Sequence, residues 1–397
     1  MKVLIYLEED RLAPVGGPLG VGFHIQREVT DRNLDSIFFL PGDATKKELE
    51  SKQKKWLYKH KWLTKIVRSY RHICEYQSMF NNLPDTSDYL NQFDVVHFHR
   101  TSDMYKQRNS LKKFKGKVLI TSHSPVPFAQ ELMDASATSV ETAYFKRNWS
   151  KFREMDAWAF QNADYILFPC KEAEEPYYMN WGEYASIHEK RELHYRYIPT
   201  GISEIRAHQD RDVIRKQLNI TDKEFVVVYA GRHNEVKGYD SLKKIGNQFL
   251  NVHPESHFLI AGREGPLTRL EHPRWTEIGW TDKVHDIINA GDVFLLPNKF
   301  TYFDLIMIEI LALGKIVVAS RTGGNKFFEK AGVDGVFLYN TDEEACNLLE
   351  RVSAMSCAER ERLGRINRSF FEENLTAKKY VDRYLALLNT INTNPSE

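Results

Sequence analysis

Short apolar runs alternate with longer amphipathic segments along the whole chain. Such runs, rich in Val, Ile, Leu and Phe, predict buried strands of parallel sheets. In the first half they predict strands at 2–7, 36–40, 94–99, 117–122 and 165–169. In the second half they predict strands at 225–230, 257–261, 293–296 and 316–319, with an edge strand at 277–281. Helices are predicted between them, at 137–162, 282–290, 304–313, 342–354, 356–368 and 375–392. The alternation indicates an α/β fold with one parallel sheet in each half.

The stretch from Pro297 to Asn325 carries the clearest strand–helix–strand pattern. Two strands joined in this way are parallel with a right-handed crossover, and ligands of such sheets sit outside the carboxyl ends of the strands. Glu309 is the only acid inside the otherwise apolar helix. A buried carboxylate needs a partner, so Glu309 is either a paired structural residue or an acceptor for a ligand's pair of hydroxyl groups.

Two places in the first half offer ligand contacts at predicted strand ends. Gly16 and Gly17 precede a predicted helix, where backbone N–H groups can meet an anion, although glycine-rich turns are also common without any ligand. His123 follows the strand at 117–122 and therefore lies on the ligand side of the sheet. It is either a ligand contact or a satisfied structural histidine.

The loop after the strand at 225–230 contains Gly231, Arg232 and Lys237. An arginine and a lysine at this spacing can clamp a diphosphate from two sides, whereas most loop cations are simply solvated. Arg263, in the loop after the next strand, is a further candidate for binding the same ligand.

Size and composition narrow the class of protein. A chain of 397 residues is long enough for two domains, and 42% hydrophobic with 27% charged residues is typical of a globular protein. The net charge of +1 argues against a polyanion binder. The four cysteines are scattered, which predicts reduced thiols and neither a disulfide framework nor a zinc site. The amino terminus lacks the long apolar core of a signal peptide, and no apolar run is long enough to span a membrane, so a cytoplasmic protein is expected.

Together these motifs resemble those of the retaining glycosyltransferases of family 4. The family pattern is Pro-Ser-x-x-Glu-x-Phe-Gly-Leu, three residues, Glu-Ala, then Gly-x-Pro-Val-Val-Ala and Gly-Gly. The chain matches it at Pro297, Phe303, Leu305, Glu309, Gly314, Val317, Val318, Ala319, Gly323 and Gly324. Gly231-Arg232 and Lys237-Gly238 match the family's diphosphate motif, and Thr121 with His123 matches its Thr-x-His context. The resemblance implies the GT-B fold, with two Rossmann-like parallel-sheet domains facing each other across a cleft.

The resemblance also implies roles for individual residues. His123, Arg232 and Lys237 are the expected catalytic residues, with His123 on the donor sugar and the two cations on the diphosphate. The expected donor-binding residues are Gly17, Gly231, Arg263, Thr301, Phe303, Asp304, Leu305 and Glu309, the last on the ribose. The donor is a UDP- or GDP-linked sugar, and no cofactor or metal is expected, since no convincing carboxylate cluster is visible.

Two departures from the family pattern matter. Thr301 stands where the family has a Glu that binds the donor sugar, and Asp304 stands where it has a Gly. Thr301 lacks the charge of a Glu but can still hydrogen-bond a sugar hydroxyl, and Asp304 is close enough in sequence to take over part of the role. The departure leaves two hypotheses open, an active transferase and a catalytically silent GT-B subunit that binds a partner or substrate.

The expected domains are an acceptor-side domain at 1–198, a nucleotide-sugar domain at 199–375 and a carboxy-terminal helix at 376–397 that crosses back to the first domain. The expected enzyme is a retaining, metal-independent hexosyltransferase. It moves a hexose or N-acetylhexosamine to a glycan acceptor, expected to be lipid-linked, in cell-surface polysaccharide or glycoconjugate synthesis. Neither nucleic acid nor a particular oligomeric state is indicated.

Residues 44–72 hold ten Lys or Arg against two Glu. At helical spacing one face collects Trp56, Leu63, Ile66, Val67, Tyr70 and Cys74, while the basic residues Lys54, Lys61, Lys65, Arg68 and Arg71 lie mainly opposite. Basic amphipathic helices with tryptophan suit an anionic membrane surface, which would make the protein peripheral on the inner face of the membrane. The alternative is that Trp56, Leu63, Val67 and Tyr70 pack on the first sheet.

Overall fold

The structure is a computed structural model that describes residues 1–8, 12–14, 16–40, 61–136 and 138–393, with only the backbone described for 61–66 and 392–393. Contacts between Cα atoms divide the chain into two units. The first unit consists of Met1–Phe168, Tyr177–Tyr197 and Leu388–Glu397, and the second of Pro169–Pro176 and Ile198–Leu387.

The first unit is built on a six-stranded, fully parallel sheet. Its strands are β1 (Val3–Tyr6), β2 (Ile37–Leu40), β3 (Val95–Phe98), β4 (Lys117–Thr121), β5 (Tyr165–Phe168) and β6 (Tyr195–Tyr197). They are ordered β2-β1-β3-β4-β5-β6, so the order reverses between β1 and β3. The central strands are apolar and buried over nearly their whole length, as expected when helices cover both faces of a parallel sheet.

Nine helices surround or connect these strands in the described part of the chain. They are α1 (Pro18–Asp31), α2 (Lys61–Ser78), α3 (Ser87–Leu90), α4 (Thr101–Lys106), α5 (Arg108–Leu111), α6 (Phe128–Asp134), α7 (Ser139–Asn162), α8 (Glu175–Asn180) and α9 (Tyr184–Arg191). Two short 3-10 turns lie at Lys171–Glu174 and Glu192–His194. Thr138 caps α7 by accepting the Glu141 backbone N–H at 3.2 Å, which fixes where this long helix begins.

The second unit contains another six-stranded parallel sheet. Its strands are β7 (Phe225–Ala230), β8 (Ser256–Ala261), β9 (Trp275–Gly279), β10 (Val293–Leu296), β11 (Ile316–Ser320) and β12 (Val336–Tyr339). They are ordered β12-β11-β10-β7-β8-β9, and the order reverses between β7 and β10.

The second unit contains eight helices among the described residues, most of them between or after these strands. They are α10 (Arg211–Gln217), α11 (Tyr239–Val252), α12 (Val284–Ala290), α13 (Leu305–Ala312), α14 (Asn325–Lys330), α15 (Asp342–Ser353), α16 (Cys357–Asn374) and α17 (Ala377–Thr393). Apolar faces of α11, α15 and α16 pack on the sheet and close the main core of this unit. Leu387 is the last residue of α17 that clusters with the second unit.

The structure confirms the predicted strands of both sheets with three corrections at sheet edges. The strands β6 and β12 were not predicted, and each is the outermost strand on its side. Strand β9 runs from Trp275 to Gly279 instead of 277–281, because the Trp275 ring stacks on Phe258 of the neighbouring strand, with centroids 5.4 Å apart. Edge strands are short and have one neighbour, so periodicity alone predicts them poorly.

Candidate functional site

The reversal of strand order in the second sheet places β7 beside β10, and the loops after these two strands meet there. Lys237, in the loop after β7, donates from Nζ to Asp304 Oδ2 at 2.7 Å. Asp304 follows β10 and also accepts a hydrogen bond from the side-chain amide of Asn298. In doubly wound sheets ligands bind at such a reversal, outside the carboxyl ends of the strands.

Gly238 makes this approach of the two loops possible. It has a left-handed backbone with φ of 64°, and it precedes the first residue of α11. A Cβ atom at this position would stand 1.6 Å from the carbonyl oxygen of Pro297. Only glycine can therefore bring the start of α11 against the end of β10.

Arg232 and Arg263 lie in neighbouring loops that are tied together through the backbone. Both residues are exposed. The backbone N–H of His233 donates to the Arg263 carbonyl at 3.3 Å, and the His233 carbonyl accepts from Leu267 N–H at 3.0 Å. The two predicted cations, Arg232 and Arg263, thus lie on two loops that are hydrogen-bonded to each other. Gly231 directly follows β7 and begins the first of these loops.

A buried aromatic and acidic cluster supports these loops. The His233 ring is fully buried and stacks on Tyr239 with centroids 3.8 Å apart. Glu277 accepts hydrogen bonds from the Tyr239 hydroxyl at 2.6 Å and from the Trp275 indole N–H at 2.8 Å. Burial lowers the pKa of His233, while the nearby Glu277 opposes that change. None of these supporting residues was predicted, because they are spread over three separate segments.

Thr301 is placed differently from its neighbour Asp304. Its side chain is fully buried, and its hydroxyl oxygen has no hydrogen-bond partner within the described residues. Its backbone carbonyl accepts the Gly324 N–H at 3.3 Å. Phe303 is also buried and stacks on Phe328, with centroids 5.4 Å apart, and Leu305 opens α13. These residues hold the turn between β10 and α13, and Asp304 is the partly exposed polar group on it.

Glu309 lies on α13 and is paired. Its Oε2 lies 3.2 Å from Nε2 of His285, on α12. About a fifth of the Glu309 side chain and a quarter of the His285 side chain are exposed, so the pair is open to solvent. The pairing is what the structural alternative predicts, and the remaining exposure is what a ligand contact requires.

In the first unit the strand order reverses between β1 and β3. Two predicted site residues lie near this reversal: Gly17 follows β1, and His123 follows β4, the strand beside β3. Gly17 caps α1 with φ of 75°, and Pro18 is the first residue of the helix. An added Cβ at Gly16 or Gly17 would have no described heavy atom within 4 Å, so this turn is open. His123 follows β4, as the apolar run that precedes it predicts.

Three histidines meet at the ends of β3 and β4. His99 Nδ1 and His123 Nε2 are 2.6 Å apart, and the planes of the two rings are nearly parallel, with an interplanar angle of 9°. His97 Nε2 lies 2.8 Å from the Thr121 hydroxyl, and its ring centroid lies 4.2 Å from that of His99. Burial lowers the pKa of His99 to about 3 and holds the pKa values of His97 and His123 well below the usual range. The cluster is therefore neutral at physiological pH.

Two buried carboxyl groups lie beside α4. Asp156 accepts from the Thr101 hydroxyl at 2.6 Å and from the Ala129 N–H at 2.8 Å. Asp103 accepts from the Glu8 N–H at 3.0 Å. Burial raises the pKa of each to about 6, against the hydrogen bonds that lower it.

The described residues contain no group of three or more His, Cys, Asp or Glu side chains arranged to hold a metal ion. Within the same part of the chain no helix is both long enough and apolar enough to cross a membrane.

Comparison with known proteins finds a family model that matches part of the chain. Residues 224–355, which include β7 to β12 and both loops of the Lys237–Asp304 contact, match the family described as Glycosyl transferases group 1. This part of the chain, about a third of its length, therefore resembles the group 1 glycosyltransferases. This confirms the resemblance seen in the sequence.

Curated relatives each match about a third of the chain. A D-inositol 3-phosphate glycosyltransferase of Catenulispora acidiphila is 28% identical over 156 residues, 34% of this chain and 36% of the relative. A lipopolysaccharide 1,2-N-acetylglucosaminetransferase of Salmonella typhimurium is 26% identical over 160 residues, 36% of this chain and 42% of the relative. The matched stretch thus spans about two fifths or less of these relatives' length.

Solved structures resemble the chain over nearly its whole length. Sucrose-phosphate synthase from Thermosynechococcus elongatus has a TM-score of 0.63 at 17% identity, covering 98% of both chains. HepE from Anabaena, solved in complex with UDP-glucose, has a TM-score of 0.64 at 13% identity, covering 98% of this chain and 100% of HepE. At such low identity the likeness concerns the fold, and it confirms the predicted two-domain GT-B α/β fold.

Proposed function

We propose that the protein is a group 1 glycosyltransferase that transfers a hexose or N-acetylhexosamine from a UDP- or GDP-sugar to a glycan acceptor, with retention of anomeric configuration. The observation that carries the proposal is the meeting of Lys237 and Asp304 at the strand reversal of the second sheet, with Arg232 on the adjoining loop. Relatives named for sugar transfer in lipopolysaccharide and diphosphoundecaprenol-linked glycan synthesis, and a structural neighbour that binds UDP-glucose, support the same class of donor and acceptor.

The chemistry asks for positive charge at the leaving group. As the bond to the anomeric carbon breaks, the nucleoside diphosphate gains negative charge, and preorganised cations there lower the barrier. Arg232 and Lys237 are the groups we assign to this task, and we propose that they act without a metal ion. The Lys237 ammonium is held by Asp304 before any ligand binds, so a diphosphate would compete with a carboxylate for it.

A donor screen tests the proposal directly. Thermal unfolding is measured with UDP, GDP and their common sugars, because a ligand present at about 100 times its Kd stabilises by roughly 2.7 kcal/mol. Turnover with the stabilising donor is then followed in EDTA, and the anomeric configuration of the product is read by NMR. Absence of any stabilising nucleotide would overturn the proposed donor class. A product with inverted configuration would overturn the proposed retention. Loss of turnover in EDTA would overturn the proposed metal independence.

One observation favours the alternative of a catalytically silent subunit. Thr301, which stands where the family has a Glu, is fully buried. A silent subunit would bind the nucleotide-sugar or a partner without turnover. Mass spectrometry of donor incubated with and without a glycan acceptor separates the two, because an active enzyme releases nucleoside diphosphate in an acceptor-dependent way and a silent one does not.

We further propose that the protein is cytoplasmic and docks on an anionic membrane through α2, where it would meet a lipid-linked acceptor. The helix packs on α7 through Ser69, which lies 3.0 Å from the Thr138 hydroxyl, through His72, 3.2 Å from Glu141, and through the Tyr76 ring against Phe145. Its packed face is therefore not the predicted apolar face.

The predicted apolar face of α2 is exposed where the structure describes it. Val67, Tyr70 and Cys74 are exposed, the tyrosine to 70%, and Arg68 and Arg71 beside them are exposed as well. The packing alternative is thus wrong for Val67 and Tyr70, while Trp56 and Lys54 lie outside the described residues and nothing is described of the Leu63 side chain. Exposed apolar groups flanked by guanidinium groups suit an anionic bilayer, near which each basic residue contributes about 1 kcal/mol.

Vesicle sedimentation tests the docking. Wild-type protein is expected to pellet with anionic vesicles at low salt and to be released at high salt, because screening shortens the reach of the charges. Arg68→Gln with Arg71→Gln should weaken pelleting, whereas Lys378→Gln with Lys379→Gln, an equal change of charge at exposed positions on α17, should not. Pelleting that is the same with neutral lipid, or the same in both double variants, would contradict the proposal.

A further inference from the structure

The short contact between His99 and His123 constrains where the protons of both rings lie. Two nitrogen atoms 2.6 Å apart share one hydrogen, so one ring donates and the other accepts. His99 is fully buried at the end of β3, and His123 is partly exposed at the end of β4. Whichever ring donates at this contact decides which nitrogen of the other ring carries its proton.

The second nitrogen of His99 decides between the two arrangements. His99 Nε2 is buried and has no hydrogen-bond partner within the described residues. If His99 accepts at Nδ1, its own proton sits on Nε2 as a buried N–H without an acceptor. If His99 donates from Nδ1, Nε2 keeps only a lone pair. Orphaned buried N–H groups are rarer than under-satisfied acceptors, so the second arrangement is favoured.

We propose that His99 is a positioning residue that donates from Nδ1 to Nε2 of His123 and so fixes His123 as the neutral ring with its proton on Nδ1. His123 then acts as a hydrogen-bond donor at Nδ1. The inference rests on the proposed function, because the group that receives this bond during turnover is taken to be an oxygen of the sugar donor.

The surroundings keep the pair neutral and rigid. The His97 ring lies against His99, and His97 is itself held by the Thr121 hydroxyl, so the three rings form one packed layer across β3 and β4. Arg100 lies next in the chain, and its positive charge disfavours a proton being added to either His99 or His123. A neutral ring offers a directional donor without introducing a buried charge.

Two isosteric variants separate donor from acceptor at position 99. Asn places an amide that can donate near the position of the histidine Nδ1, whereas Asp at the same place is an acceptor when ionised. With His99→Asn we expect His123 to keep its proton on Nδ1 and kcat to stay close to wild type. With His99→Asp we expect the proton to move to Nε2 of His123, and kcat to fall about 10- to 100-fold, with little change in the Kd of UDP.

Long-range proton–nitrogen correlation NMR reads the tautomer of His123 directly, with His123→Gln used for assignment. His257→Asn is the matched control, since it changes another buried histidine, bonded to Thr276 at 2.8 Å in the second unit. A wild-type His123 protonated on Nε2, or equal tautomers in the Asn and Asp variants, would overturn the proposal whether or not the protein turns over a donor. A protein that shows the expected tautomers but binds no nucleotide would instead overturn the proposed function.

Discussion

At the carboxyl edge of the first sheet, His97, His99 and His123 form a cluster of imidazoles that is largely buried. At the same edge of the second sheet, the Lys237–Asp304 ion pair is partly exposed and the Arg232 guanidinium is exposed. Burial holds the first set neutral, whereas the second set is open to water and contains the Lys237–Asp304 ion pair. Neutral rings form directional hydrogen bonds, while exposed charged groups attract a ligand of opposite charge. Under the proposed function, neutral rings suit a sugar hydroxyl and charged groups suit a diphosphate.

The largest expected effect comes from removing charge at the second edge. Arg232→Ala and Lys237→Ala should each lower kcat/KM by an amount equivalent to about 2–4 kcal/mol, because each removes a preorganised cation from the leaving group. Steady-state kinetics with the best donor measures this loss. Lys244→Ala, an exposed lysine on α11, is the control. Near-normal turnover in both variants would show that the charged edge is only solvated.

A pH series on stability tests the claim that the first edge disfavours charge. Burial raises the pKa of Asp156 to about 6, above the value of 3.8 in an unfolded chain, so the folded state holds this proton more tightly. The free energy of unfolding therefore falls as pH rises from about 4 to about 6. The loss is roughly 3 kcal/mol, because the pKa of Asp156 is raised by about two. Asp156→Asn should remove that loss.

Urea unfolding at pH 4 and pH 7 makes the measurement for wild type and variant. The difference in unfolding free energy between the two pH values should shrink in Asp156→Asn and stay unchanged in Asp88→Asn, which alters an exposed carboxylate. If the unfolding free energy of Asp156→Asn depends on pH as that of wild type does, ionisation of the buried Asp156 carboxyl does not destabilise the fold. The claim that the first edge disfavours charge would then be wrong.

Glu309 is intermediate between the two edges in character, since it is an acidic residue that is paired with a histidine and only partly exposed. Glu309→Gln should weaken UDP binding by about 1.5–3 kcal/mol if the carboxylate accepts from the ribose hydroxyls, because hydrogen bonds to charged groups are worth that much. Isothermal titration measures the affinity. His285→Ala removes the partner of Glu309 and should leave the affinity nearly unchanged. Equal affinities in all three proteins, with equal losses of thermal stability in the two variants, would make Glu309 structural.

The smallest effect is expected at Thr301. Its buried hydroxyl lacks a partner among the described residues, so Thr301→Val should stabilise the protein by up to about 1 kcal/mol. Turnover should change little. Thermal unfolding and kinetics are compared with those of Thr322→Val, whose hydroxyl donates to the Lys299 carbonyl at 3.1 Å and whose loss should destabilise. A clear loss of turnover in Thr301→Val at unchanged stability would put its hydroxyl on the ligand after all.

The sequence supports much of this arrangement because parallel strands bury both faces and leave their functional residues at one end. The apolar runs that precede His123, Arg232 and Asp304 therefore suffice to locate these residues at the carboxyl edges of the two sheets. Gly238, just before α11, could also be singled out from the sequence, because Lys237-Gly238 matches the diphosphate motif of the family that the chain resembles. What periodicity cannot give is the pairing of side chains across strands.

His99 shows where the sequence fell short. It lies 24 residues from His123, and the two meet only because the register pairs His97 with Leu119 and Phe98 with Ile120. A signal did exist, since histidines close both predicted strands, but neighbouring strands in the sheet had to be known first. The His233, Tyr239 and Glu277 cluster gave no such signal, because only tertiary packing brings its three segments together.

The glycine at 238 has a consequence for anyone who makes a saturation library of this chain and sorts it twice, once for abundance and once for turnover. Every substitution there drives a side chain into the Pro297 carbonyl, so such clones should be depleted in both sorts. Arg232, a few residues earlier and exposed, should tolerate replacement in the abundance sort and be depleted only in the second. The ratio of the two scores along this one loop would then separate the residues that shape the turn from those that face a ligand.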